Sequence, residues 1–375
     1  MFRLLSAALF VMVVASPTIC EAYSLSLYVW TAPDGEQPAK CELVMVTPTP
    51  LRPTLGSPSW SRDLSKIAFN ASYHGRDSQL FVLDLDRTRT SPQDGDERPV
   101  RYLGSGTVPT WSPDGSQIAF RRLGKKNKRL GVFLMDASTS LDFSAIVPSP
   151  RDTNETDQAT RPIERLCDGG WPFWTPDGEG LYLMFYKGVW YEPDEVRFHD
   201  VEAGVTYPIE MPTGIEMKSV ASLSGNRHFT VVCQDAGDKM STRVSHFYFD
   251  AEPVDGKIVA REEPLVDLFT MQQQLPRDLT FGRFVEPRGA TESGETFVTV
   301  SVKRTGEDRS FNQIWLFPDR TAGDAKPRAI ISARPGVQLR DFAPGPDGRR
   351  LVFCSDLHGS GDGDETDPSG LLVED

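Results

Sequence analysis

The sequence predicts an all-β fold, a β-propeller of six blades with its ring closed by an N-terminal strand. Three observations predict it. The first is a recurring unit. Trp60-Ser61-Arg62-Asp63 precedes Ile67-Ala68-Phe69, and Trp111-Ser112-Pro113-Asp114-Gly115 precedes Ile118-Ala119-Phe120. Trp174-Thr175-Pro176-Asp177-Gly178 precedes Leu181-Tyr182-Leu183, and Pro346-Asp347-Gly348 precedes Leu351-Val352-Phe353. Units of about 50 to 70 residues, made of short strands and tight turns, are the signature of a propeller array. The second is composition: 31 Gly and 29 Pro supply the punctuation that many turns need. The third is that the two ends of the array are incomplete in complementary ways.

The chain opens on a targeting segment. Arg3 supplies a positive charge, Leu4 to Ser16 form an apolar run, and Cys20-Glu21-Ala22 offers small residues ahead of a cut before Tyr23. This pattern fits a secretory signal peptide over residues 1–22, with one propeller domain over 23–375. The apolar run is short for a membrane span, and no later stretch approaches spanning length. The expectation is a secreted or periplasmic monomer. Removing residues 1–22 takes away Arg3 and Glu21, so the formal charge of −13 is unchanged. Acidity of that size argues against nucleic acid and anionic membranes as partners. Cys41, Cys167, Cys233 and Cys354 remain, and an even count in an exported chain permits two disulfides in any of three pairings. Asn70-Ala71-Ser72 and Asn154-Glu155-Thr156 are glycosylation sequons where the source is eukaryotic.

Each unit reads as four strands. An inner strand ends at the Trp position. In the turn that follows, Pro pre-sets φ, Asp bonds its own backbone and Gly accepts positive φ. The second strand is apolar almost without interruption, as in a sheet covered on both faces. A third strand ends in Asp, as in Leu80–Asp84, Val132–Asp136 and Ser245–Asp250. A fourth, less regular strand closes the unit, as in Val100–Leu103. Turn anchors fall near residues 60, 111, 174, 224, 293 and 346. The anchors at 224 and 293 are degenerate, with Leu223-Ser224-Gly225-Asn226 and Glu292-Ser293-Gly294-Glu295 in place of the full turn. The count is six, or seven if the N-terminal hairpin builds more than an outer strand. Loops are expected at 87–99, 137–166 and 318–335.

The last unit has a turn, a second strand at Leu351–Cys354 and a third-strand candidate at Leu371–Asp375, but no fourth. Leu25–Thr31 and Glu42–Val46 are two spare strands at the other end. An N-terminal strand is therefore expected to complete the last blade, which removes the edges an open array would expose.

The Trp-Ser-Pro-Asp-Gly, Ile-Ala-Phe and Met-Asp pattern resembles the propeller repeats of the TolB type, which are similar to the propellers of dipeptidyl peptidase IV and prolyl-oligopeptidase-like enzymes. The likeness covers most of residues 40–375, is strongest at units 60, 111 and 346, and is poor at 224 and 293. TolB carries an N-terminal α/β domain, for which there is no room before Trp60. The peptidases carry a hydrolase domain, which does not follow the last unit here. The resemblance implies a stand-alone TolB-like propeller, a class whose relatives mostly bind proteins or shield active sites.

Chemistry-bearing constellations are sparse. No Gly-x-Ser-x-Gly elbow occurs; Ser224 sits in a blade turn without the first Gly. His74, His199, His228, His246 and His358 lack the close spacing of a zinc site. Oligogalacturonate lyases are propellers that gather histidines from different blades, so gathering in space stays open. Residues 356–367 form a Gly-rich acidic loop in which Asp362, Asp364 and Asp367 are spaced to offer oxygens to Ca²⁺, although the calcium-loop motif is incomplete. Arg121, Arg122, Lys125, Lys126, Lys128 and Arg129 crowd one hairpin of an otherwise acidic chain and suit an acidic partner. Trp190 and Tyr191, in the aromatic third unit with Trp171, Phe173, Trp174, Tyr182, Phe185 and Tyr186, would suit a sugar or a proline-rich peptide if exposed. No catalytic residue is assigned. The leading reading is a secreted, non-catalytic scaffold that binds a protein or glycan on one ring face. The alternative is a metal-assisted propeller enzyme, a lyase or hydrolase, acting on an acidic polysaccharide.

Overall fold

The computed structural model describes residues 26–34, 38–46, 51–73, 78–86, 100–124, 128–141, 164–186, 193–225, 228–249, 253–290, 295–318, 326–333, 337, 339–355 and 371–373. Within them the chain is all-β apart from one short helix and two helical residues, Leu85 and Asp86. Two strands come first, β1 (Ser26–Thr31) and β2 (Lys40–Val46). The first unit is β3 (Leu51–Trp60), β4 (Lys66–Tyr73), β5 (Ser78–Asp84) and β6 (Val100–Ser105). The second is β7 (Thr107–Trp111), β8 (Gln117–Gly124), β9 (Lys128–Asp136) and β10 (Glu164–Cys167). The third is β11 (Trp171–Trp174), β12 (Gly180–Tyr186), β13 (Pro193–Asp200) and β14 (Val205–Glu210).

The fourth unit is β15 (Ile215–Gly225), β16 (His228–Asp235), β17 (Asp238–Phe249) and β18 (Ile258–Asp267), and the helix α1 (Leu268–Gln274) follows it. The fifth is β19 (Leu279–Ala290), β20 (Thr296–Arg304), β21 (Ser310–Phe317) and β22 (Arg328–Ala333). The sixth opens with β23 (Leu339–Pro344) and β24 (Arg350–Ser355), and β25 (Leu371–Val373) comes last.

Units one to five are antiparallel meanders, each strand pairing with the next. Units three and four merge into one eight-stranded sheet through a short parallel pairing of β14 with β18, Ile209 opposite Ile258 and Glu210 opposite Val259. The sixth unit is completed from the other end of the chain. β1 pairs antiparallel with β24 from Ser26↔Ser355 to Thr31↔Arg350, and β2 pairs with the far side of β1. Both N-terminal strands therefore enter the last unit, as its third and fourth members. The third-strand candidate at the C-terminal side goes elsewhere: β25 adds a fifth strand to the fifth unit, beside β22.

Two expected loops contain strands. β10, Glu-Arg-Leu-Cys, begins inside 137–166 and ends one residue beyond it, and β22, Arg-Ala-Ile-Ile-Ser-Ala, lies inside 318–335. β10 is a fourth strand at a sheet edge, where pairing with one neighbour replaces the two-sided apolar pattern of a central strand. β22 lies between β21 and β25, but its buried run is only five residues long. The 87–99 segment lies outside the described residues.

The turns fold as the sequence dictates. In the first three units the hydroxyl after Trp donates to the turn Asp: Ser61 to Asp63 at 2.6 Å, Ser112 to Asp114, and Thr175 to Asp177 at 2.6 Å. The Asp carboxylate in turn accepts the backbone N–H two residues on, at 3.1 Å from Ser65 and 3.1 Å from Ser116. Gly115, Gly178 and Gly348 take φ of 74°, 78° and 67°, where a Cβ is disfavoured. These bonds hold Asp63 at a pKa of about 2, the Ser61 hydroxyl being the largest cause, and lower Asp114 as well.

The core is a set of interfaces between neighbouring sheets. Ala68, Leu80 and Val82 of unit one meet Trp111, Ile118 and Phe120 of unit two. Val132 and Leu134 meet Trp174, Leu181 and Leu183 of unit three. Tyr182 and Met184 meet Phe229, Val231 and Phe247 of unit four. Val232, Val244 and Met271 meet Val298, Val300 and Trp315 of unit five. Phe297, Ile314 and Ile331 meet Trp30, Leu351 and Phe353 of unit six. Leu27, Val29 and Val352 of unit six meet Trp60, Ile67 and Phe69 of unit one. Each unit thus packs on two others, and the sixth packs on the first.

Candidate functional site

The described members of the cation run singled out in the sequence, Arg121, Arg122, Lys128 and Arg129, lie on one hairpin. β8 and β9 stay paired outward to Arg122↔Gly131, Leu123↔Arg129 and Gly124↔Lys128. The register brings both ends of the run to the same tip, with Lys125 and Lys126, which lie outside the described residues, between them. Arg121 and Arg122 are half-buried at its base. The Arg122 guanidinium carbon sits 5.3 Å from the centre of the Phe133 ring and 5.8 Å from that of Phe120. A guanidinium over an aromatic face gains attraction from the ring quadrupole without losing its charge. Beside it Tyr102 donates to Gln79 Oε1 at 2.7 Å, and burial pushes its hydroxyl up to about 12, against the pull of Arg122. Among the six cations only Arg121 and Arg122 have described side chains. Trp190, Tyr191, Asp362, Asp364 and Asp367 lie outside the described residues.

The aromatic third unit is largely core. Phe173, Trp174 and Tyr182 are buried. Tyr182 meets Phe249 edge-on at 5.7 Å, across the interface with unit four. Phe185 lies 4.4 Å beneath the Arg197 guanidinium, which Glu195 holds through two hydrogen bonds of 2.6 and 2.8 Å.

The fourth unit, where the repeat decays, carries two polar clusters on opposite faces of its sheet. On the face toward unit three, Glu262 accepts a bidentate pair from Arg243 at 2.5 and 2.9 Å and a bond from the Ser245 hydroxyl at 2.7 Å. Arg243 also reaches Asp235 at 3.0 Å. The Arg243 and Glu262 side chains are only 13% and 14% exposed. Burial alone would raise Glu262, but the bonds from Arg243 and Ser245 hold it below the usual carboxylate range. The Cys233 thiol, 3.6 Å from both Ser245 and Glu262, is pushed up to about 12 by burial. With its acceptor sites filled and its thiol protonated, this group is a clasp between strands and not a nucleophile.

On the face toward unit five, His228 stands opposite Tyr248, and Thr230 opposite His246. The His228 and His246 rings are 5.8 Å apart, and His228 lies 5.1 Å from the Tyr248 ring. Thr230 Oγ1 and His246 Nδ1 are 3.0 Å apart. Burial lowers His228 below the ordinary imidazole value. No spacing in the sequence marks this cluster, because cross-strand register brings its members together. Among the described residues no group of three or more His, Cys, Asp or Glu is placed to hold a metal ion.

A pocket of about 200 Å³ opens at the seam of units six and one. Val29, Val44, Trp60 and Leu85 give it an apolar wall, and Glu42 and Arg350 bring opposite charges to it. The Trp60 indole N–H donates to Ala343 O at 3.1 Å, tying β3 to β23 across the same seam.

The two disulfides permitted by the cysteine count are not formed among Cys41, Cys167, Cys233 and Cys354. Cys41 and Cys354 share a sheet but flank β1, two strands and about 10 Å apart, beyond disulfide reach. Cys167 and Cys233 belong to units two and four. Burial is the largest cause of the raised thiols, about 12 for Cys41 and about 11 for Cys167.

No family model and no curated protein matches this chain. Solved structures with a similar outline include the β-propeller domain of the Trilobed protease from Pyrococcus furiosus. It is 12% identical, with a TM-score of 0.42, over 84% of this chain and 97% of that one. Oligopeptidase B from Leishmania major is 13% identical, with a TM-score of 0.41, over 86% of this chain and 40% of that one. Oligogalacturonate lyase from Vibrio parahaemolyticus is 11% identical, with a TM-score of 0.37, over 86% and 77%.

Proposed function

We propose that this chain is an exported six-bladed β-propeller, TolB-like in its repeats, closed at the seam of β1 and β24. It serves as a binding scaffold for an acidic protein or glycan. The closed six-blade reading is supported by the circuit of hydrophobic interfaces, in which six units each pack on two neighbours. The binding reading rests on one observation: the β8–β9 register brings Arg121, Arg122, Lys128 and Arg129 to one hairpin in a chain of net charge −13. A local positive field on an acidic body steers an anionic partner to that place. Removal of residues 1–22 and export belong to the same proposal.

Heparin serves as a polyanion probe. The chain binds it, and binding weakens steeply with salt, as contacts between exposed charges do. A variant with Lys125, Lys126, Lys128 and Arg129 replaced by Glu loses binding with its melting temperature unchanged. Equal binding by that variant contradicts the assignment.

The second reading, a metal-assisted enzyme on an acidic polysaccharide, draws on His228 and His246, whose rings stand 5.8 Å apart. Cleavage of polygalacturonate that depends on a divalent cation and is lost in His246→Ala would favour it over the scaffold.

A further inference from the structure

We propose that the outer edge of β22 is a strand-addition site, and that the partner it fits is the Leu371–Val373 segment of a second copy of this chain. In this structure the site holds the chain's own segment. Leu371, Leu372 and Val373 pair antiparallel with Ala333, Ser332 and Ile331.

Two observations carry the proposal. The first is the character of β22 itself. A sheet edge is a row of unpaired N–H and C=O groups that attracts other strands, and proteins blunt it with charge, brevity or cover. The other outer strands show such devices. β10 is four residues long and opens with Glu164 and Arg165. β6 is capped by the chain that follows β9, where Leu141 N–H donates to Tyr102 O at 2.8 Å. β14 and β18 cover each other. β22 reads Arg-Ala-Ile-Ile-Ser-Ala, and every residue after Arg328 is buried. It carries no charge or proline within the paired stretch, and its cover is β25.

The second observation is how that cover is held. Among the described residues three pairs join β25 to β22, all of them backbone pairings that an identical strand would re-form. The segment arrives over residues 356–370, a Gly- and Asp-rich stretch that spans about 50 Å when fully extended. It also returns to the fifth unit after the chain has already built the sixth. The strand can be replaced by the identical strand of another copy with every pair re-formed, which is the condition for strand exchange. Self-pairing dominates in dilute solution, because a tether of this length gives an effective concentration on the order of millimolar. Exchange therefore grows with concentration.

The test mixes two single variants, Ser332→Cys and Leu372→Cys, under mild oxidation at rising concentration. Ser332 and Leu372 stand directly opposite each other. The native thiols at Cys167, Cys233 and Cys354 are buried, and the unsubstituted chain treated alike controls for Cys41. A covalent heterodimer joining the two variants can form only when a segment of one copy lies on β22 of the other. The expected result is a heterodimer band that grows with concentration, beside a double variant that closes within one chain. If the double variant closes and the mixture gives no heterodimer at any concentration, the exchange is overturned. If neither cross-links, strand addition at β22 is overturned as well. In the unsubstituted chain, excess peptide of sequence 369–375 should return any dimer to monomer on sedimentation; a dimer indifferent to the peptide also overturns the proposal.

Discussion

At the residue scale the repeat is a device for making turns and filling interfaces. Trp60, Trp111 and Trp174 are buried between sheets, and the Asp that follows each is spent on its own turn. Two glycines separate backbone strain from crowding. Gly115 has φ of 74° with open space around it, so Gly115→Ala should cost about 1 kcal/mol, from the left-handed backbone alone. A Cβ on Gly170 would lie 1.7 Å from Met184 O, so Gly170→Ala must displace β11 from β12 and should cost about 3 kcal/mol. Thermal melts of the two variants check the ranking, and equal shifts would contradict it.

Titration adds a second residue-scale prediction. Burial lowers His199 and His228 in the folded chain, more than Asp200 raises His199. Their unfolded counterparts take up protons near pH 6.5, so the stability they lend is complete above that value and is lost as pH falls. Asp63, held near 2, lends stability above about pH 3.9 that is lost as pH falls toward 2. Melting temperature should therefore fall from pH 7 to pH 5 and again below pH 4. His199→Gln should flatten the first fall and leave the second.

At the element scale, the legible parts were those with two-sided burial. The second strands of units one, two, three and six were readable because neighbours cover both faces. Ile67–Phe69 and Leu351–Phe353 are therefore unbroken apolar runs. β10 was lost in a loop, since four residues with one neighbour at a sheet edge leave no period to read. β22 was lost because Ala329–Ala333 is a short run without a turn motif before it, and α1 because seven residues capped by Asp267 at Thr270 N carry too little pattern. The polar clusters of unit four were invisible for a different reason. His228 and His246 are eighteen positions apart and meet only through the register of β16 on β17. Element edges also give a prediction. Arg101 on β6 donates to Thr139 O at 2.9 Å and to Ala137 O at 3.0 Å, holding the segment that caps that edge. Arg101→Ala should cost about 2 kcal/mol and speed hydrogen exchange at Leu141, whose N–H bonds Tyr102 O. Unchanged exchange there would show that the cap does not depend on Arg101.

At the scale of the whole molecule, the account turns on closure. Six units pack in a circuit, and the joint between last and first is made by residues about 320 positions apart, with β1 laid on β24. That joint carries a core of its own, Leu27, Val29, Val352 and Cys354 against Trp60, Ile67 and Phe69. The sequence showed the missing strands at one end and the spare ones at the other, so the pairing of an N-terminal strand with the last unit was readable. That both spare strands join the sixth unit, and that β25 turns back to the fifth, required the structure. Removing residues 23–47 takes away the third and fourth strands of the sixth unit and, with them, Leu27 and Val29 from its interface with the first. Thermal unfolding of the mature chain against the same chain lacking residues 23–47, followed by near-ultraviolet circular dichroism and sedimentation, tests this most directly. The account predicts that the shortened chain gives no cooperative transition and no folded monomer. A shortened chain that melts like the parent would contradict closure.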